Sequence, residues 1–159
     1  MPRRHLLLAA AVVALLALLP LSGSTYLLYL FTQVLIFVLF ATSLNLLIGY
    51  AGLGSFGHAA FFAIGGYGCA ILLRSYGVPL LLAMPAALVM TAVFATLIGA
   101  LCVRLTSYYF SMLTLAFGQL TWAVAYQWDS VTGGSNGLTG VWPAAWLADS
   151  RNYYYLTLA

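Results

Sequence analysis

The chain of 159 residues contains no lysine and no glutamate, and charged residues make up only 4% of it. Its acids are Asp129 and Asp149, and its bases are five arginines. A soluble domain carries about a quarter charged residues. Between His5 and Leu73 there is no Asp, Glu, Lys or Arg at all. No water-facing surface can be built from such a segment, which points to an integral membrane protein. A net charge of +3 with scattered arginines excludes the basic stripe of a nucleic-acid binder. The two cysteines, Cys69 and Cys102, both lie in apolar runs, as small fillers rather than a disulfide framework or zinc site. No GxxxxGK[ST] phosphate loop occurs, and no cofactor or metal is implied.

What the chain has is hydrophobic side chains, 65% of the total, gathered into runs. A bilayer core takes about 20 apolar helical residues per crossing. Leu6–Leu21, preceded by Arg3, Arg4 and His5, is the first run. It reads as an uncleaved first helix, although a signal peptide has the same basic start, apolar middle and small residues after. Tyr26–Ile48 is the second span, and a third ends near Leu73, closed by Arg74. Gly77-Val78-Pro79 marks a turn. Leu80–Val103 is the fourth span, with Pro85 expected to kink or loosen it, and Tyr108–Trp128 is the fifth.

Asp129–Arg151 changes composition: a Gly/Ser/Asn loop, then a stretch with Trp142 and Trp146 suited to a membrane–water interface. Asn152–Ala159 reads as the start of a sixth span. The expected fold is an all-α, polytopic transmembrane helix bundle with about five spans and the beginning of another. Residues 1–159 form one domain in this reading. With a cytoplasmic N-terminus, Arg3, Arg4 and Arg104 fall inside while Arg74 and Arg151 fall outside, a slight positive-inside bias.

Seven glycines fall between Gly49 and Gly68. Within the third span, Ala59, Ala63, Gly66 and Ala70 recur at i, i+4, i+7 and i+11, a small-residue stripe expected to pack against a neighbouring helix. Gly52, Gly54 and Gly57 fit no helical face. They suggest a chain break with Ser55 as N-cap of the next helix. Transporters with interrupted helices hold anionic substrate groups at such helix starts, and an amino acid's carboxylate suits that geometry. An ordinary surface turn fits equally. Two spans of about 20 residues leave roughly 8 of the Tyr26–Leu73 segment for the connection. His58 lacks a partner for metal or proton chemistry and reads as a hydrogen-bonded tie between the turn and a neighbouring helix. Asn45 and Gln119 are expected to be buried amides bonded between helices. Asn45, Gly52, Gly54, Ser55, Gly57, His58 and Gln119 are the candidates for the substrate path or its gate.

Ala41–Leu72, ATSLNLLIGYAGLGSFGHAAFFAIGGYGCAIL, resembles the first block of branched-chain amino acid ABC-importer permeases of the LivM kind. Tyr108–Leu138, YYFSMLTLAFGQLTWAVAYQWDSVTGGSNGL, resembles the next. The most specific pieces are Gly52–Phe61 and Thr132–Leu138. The resemblance implies a permease subunit in a bacterial inner membrane. It would pair with a second, homologous permease, with two cytoplasmic ATPases that drive uptake, and with a periplasmic binding protein that delivers leucine, isoleucine or valine. Relatives that carry urea, other amides or other amino acids belong to the same family. The segment that couples such permeases to the ATPase has no counterpart here, so the chain reads as an N-terminal half. The competing readings are a stand-alone channel or ion-coupled transporter, and a purely structural membrane subunit.

Overall fold

The computed structural model describes residues 16–22, 24–141 and 145–158. Most of the Leu6–Leu21 run, the basic residues before it and Trp142 lie outside these residues. Among the described residues every regular element is helical. Four long helices follow one another: α1 (Thr25–Ala51), α2 (His58–Ser75), α3 (Leu80–Cys102) and α4 (Ser107–Gln127). A shorter α5 (Ser150–Leu158) ends the chain. The long helices coincide with the apolar runs because an unpaired backbone group in hydrocarbon costs several kcal/mol, and a helix pairs them all within one segment. Their hydroxyls follow the same rule. Thr32, Thr91, Thr96 and Thr121 each donate to the carbonyl four residues earlier, at 2.7–2.9 Å.

Among the described residues two helices are long and apolar enough to cross a bilayer by length and composition: α1, with 27 residues, and α3, with 23. At 1.5 Å per residue they reach about 40 Å and about 34 Å. α2, with 18 residues, reaches about 27 Å and α4, with 21, about 31 Å. α3 runs unbroken through Pro85.

The chain divides into two compact units, residues 1–39 with 143–159, and residues 40–142. In the first, Leu28, Leu147 and Tyr154 are buried. The Tyr154 hydroxyl donates to the Leu16 carbonyl at 2.8 Å. Asp149 accepts the Arg151 backbone N–H at 3.1 Å and so caps α5.

In the second unit α2 packs along α3 and α4. A core of Ile98, Cys102 and Phe110 is joined by Leu53, Phe61, Leu113 and Phe117. Further along, Gly68 lies against the Met90 methyl and Ala87, so that a β-carbon there would displace the flexible tip of Met90.

Candidate functional site

The Gly49–Phe61 stretch contains a true interruption, Gly52–Gly57. α1 stops at Ala51 because Gly52 adopts φ +66°, a conformation that disfavours any residue with a β-carbon, and its N–H closes the helix on the Ile48 carbonyl at 3.2 Å. α2 begins only at His58. Between them the backbone lies against the first half of α4. The Ser111 hydroxyl donates to the Gly54 carbonyl at 2.5 Å. The Phe56 N–H donates to Thr114 Oγ1 at 3.3 Å, and the Thr114 hydroxyl in turn donates to the Ser111 carbonyl at 3.0 Å. Gly57 is so close to α4 that a β-carbon there would overlap the Thr114 carbonyl oxygen. A β-carbon on Gly118 would lie 3.3 Å from the Gly57 α-carbon. The contact runs from Ser111 to Gly118, about 6 to 16 Å from the start of α4 and so to its midpoint.

Ser55 does not cap α2. The cap is Gly57, with no side-chain hydrogen bond, and Ser55 is buried two residues earlier. The reason is steric: the position that turns into the helix touches backbone, and serine's β-carbon has no space there. His58 shares a hydrogen bond with Ser43 of α1 at 3.1 Å through Nε2, and the Phe40 ring centroid is 5.1 Å from its own. It ties the two helices across the break, as its lack of metal or proton partners implied.

Two further expectations are corrected. Asn45 and Gln119 are not buried: both lie on the exposed surface of the chain. At 100° per residue Gln119 is turned about 140° from Thr114, and Asn45 about 160° from Ser43, so neither faces the break. The close packing of α2 also uses a different face. Ala60 and Gly68 are buried, whereas Ala59 is exposed, Ala63 and Ala70 are half-buried, and Gly66 has open space around its α-carbon. Ala59 and Ala60 differ by about 100° around the helix, enough to move the contact off the expected stripe.

Ser111, Thr114 and Gly118 escaped the sequence reading. Their signal is visible afterwards: two hydroxyls three apart, then a glycine four on, set one face of an apolar helix. Removing either hydroxyl should lower stability by about 1 kcal/mol, since a break carbonyl or N–H loses its partner. Thermal unfolding of the full-length protein in detergent checks this. Ser111→Ala and Thr114→Val variants that melt like the parent would show that the clamp carries no weight.

The family model described as "Branched-chain amino acid transport system / permease component" matches residues 26–155, which include the whole break and the α4 face that holds it. The chain belongs to this family. It is 32% identical over 110 residues to the high-affinity branched-chain amino acid transport system permease protein LivM of Escherichia coli. It is 31% identical over 110 residues to the protein of that name in Salmonella typhimurium. Each match takes in 69% of this chain but 26% of the relative, so the chain spans about a quarter of the curated relatives' length. No solved structure matches it.

Proposed function

We propose that the chain is the N-terminal part of a single-domain membrane-spanning permease subunit of a bacterial ABC importer for branched-chain amino acids. In this reading α1 to α4 all cross the inner membrane, with one span before them and α5 beginning another. A second permease, two cytoplasmic ATPases and a periplasmic binding protein complete the machine. ATP-driven closure of the ATPases rocks the permeases, and substrate passes along their interface. The relatives are transport permeases rather than enzymes, and family membership is the first support.

The observation that carries the mechanism is the clamped break. A helix pair interrupted near the middle of a neighbouring span is how transporters combine a substrate path with movement. Here the interruption is held by two side-chain hydrogen bonds and a glycine-to-glycine contact, beside the packing of Leu53 on the Ile98–Cys102–Phe110 core. The ion-coupled alternative needs an intramembrane carboxylate or arginine. Residues 25–127 contain no Asp or Glu, and Arg74 and Arg104 lie at or beyond helix ends.

The full-length protein, purified from its own membranes, should bring an ATPase subunit with it. After reconstitution its leucine uptake should require ATP. Uptake that proceeds on an ion gradient alone would overturn this reading.

A further inference from the structure

Two cavities flank the packing of α2 on α4, and they differ in chemistry. The larger, about 650 Å³, lies among α2, α3 and α4. Its lining surface is almost wholly apolar, and the hydroxyls of Thr121 and Thr132 are already given to backbone carbonyls. Nothing there answers a charged or polar ligand. The smaller, about 250 Å³, lies on the other side of the α2–α4 contact. It begins at Gly118, the residue that faces Gly57, and runs about 12 Å along α4 to Tyr126, where Gly134 of the following loop closes it.

We propose that this smaller recess receives the aliphatic side chain of the amino acid during passage. The proposal rests on the permease reading above and assigns the place in this chain where size is sensed. Ala59, Ala60, Ala63, Gly118, Ala125 and Gly134 line it, and none projects more than a methyl group. The rest of the lining is Thr121 and three aromatic residues, Tyr67 on α2 and Trp122 and Tyr126 on α4, the last two stacked with centroids 5.2 Å apart and planes at 17°. Small residues set the width, and flat rings give a large apolar contact for a branched alkyl group. The volume equals about eight water molecules of liquid, ample for the four carbons of a leucine side chain. It is too small for the drug-sized ligands that fill cavities of about 300–1,000 Å³.

The lining carries no charged side chain, so the ammonium and carboxylate of the substrate stay at the mouth. Trp122 and Tyr126 are more than half exposed, at 61% and 51%, which leaves that mouth open. The position is also mechanical. The near end of the recess is the glycine contact that holds the break, so displacement of the break changes its shape.

The test uses the complete importer in proteoliposomes and compares initial uptake of valine, leucine and phenylalanine. Ala59→Leu narrows the recess, and Trp122→Ala widens it. One methylene in an apolar pocket is worth about 10-fold or more in discrimination. Ala59→Leu should therefore lower the leucine-to-valine uptake ratio about 10-fold, and Trp122→Ala should raise phenylalanine relative to leucine. Ratios unchanged in both variants, or uptake of all three falling in parallel, would overturn the recess. A parent importer that carries no branched-chain amino acid would instead overturn the permease reading, and the recess would fall with it.

Discussion

Replacing Gly57 by Leu in the full-length protein is expected to abolish uptake while leaving its amount in the membrane unchanged. The argument is steric and local. Gly57 has φ −93° and ψ 7°, a conformation open to any residue, so no backbone strain is involved. What forbids a side chain is the Thr114 carbonyl oxygen, which the first added carbon would overlap. The obstacle is main chain inside a helix and cannot rotate away as a side-chain tip can. The start of α2 must therefore part from α4, which strips Phe56 of its Thr114 partner and Gly54 of its Ser111 partner. Overpacking of this kind costs about 1–3 kcal/mol where side chains yield, and backbone yields less. Insertion depends on the apolar runs, which the substitution leaves untouched.

A graded set makes the result specific. Gly57→Ala should already impair uptake severely. Gly118→Ala, whose new carbon would lie 3.3 Å from the Gly57 α-carbon and 3.9 Å from the Phe56 carbonyl oxygen, should impair it less. Radiolabelled leucine uptake in cells, normalised to immunoblots of the membrane fraction, gives the measurement. Normal uptake by Gly57→Leu would sink the idea that the close approach matters.

How far such a site can be read from sequence depends on which physical signal each residue leaves. The helices are legible because hydrophobic runs have ends. The expected spans at Tyr26–Ile48, Leu80–Val103 and Tyr108–Trp128 compare with helices at Thr25–Ala51, Leu80–Cys102 and Ser107–Gln127. α1 overruns its expected end by three residues, since Gly49 and Tyr50 remain helical and only Gly52 takes the left-handed turn. The number of crossings is less legible: α1 and α3 have the length and apolarity alone, while α2 and α4 do not meet the same measure.

Faces are harder still. In a chain that is apolar all round, periodicity does not mark an inside, so Asn45 and Gln119 were given burial that they do not have. The same ambiguity placed the packing stripe on Ala59 and Gly66 rather than on Ala60 and Gly68. Ser55 failed as a cap because capping rules are local and the deciding contact, Gly57 on Thr114, is 57 residues away in sequence. The depth of the break was likewise beyond a residue count. The roughly 8 residues left between two spans fit a surface turn, and only the Ser111–Gly118 contact shows them lying along about a third of α4.

The loop beyond α4 carries the second large effect. Gly133→Ala should open it, although alanine adds a single carbon. Gly133 ends the helical turn Asp129–Thr132 at φ +76°, where its N–H bonds the Asp129 carbonyl at 3.1 Å. A left-handed conformation costs a residue with a β-carbon about 1–2 kcal/mol. At this position the added carbon would also overlap the Gly137 carbonyl oxygen, which is main chain again. Relief requires the Gly133–Gly137 turn to spread. That pulls Gly134 from the Thr132 hydroxyl, its partner at 3.3 Å, and from its seat beside Tyr126 at the far end of the recess.

Gly140 supplies the control. It has φ +80° but open space around it, so Gly140→Ala meets the conformational penalty without the collision. Limited proteolysis of the full-length protein in detergent should therefore cut the loop much faster in Gly133→Ala than in Gly140→Ala, with the parent slowest. Equal cutting of the two variants would mean that backbone conformation alone sets the loop. The collision with Gly137, and the support it implies for the closed end of the recess, would then have to be abandoned.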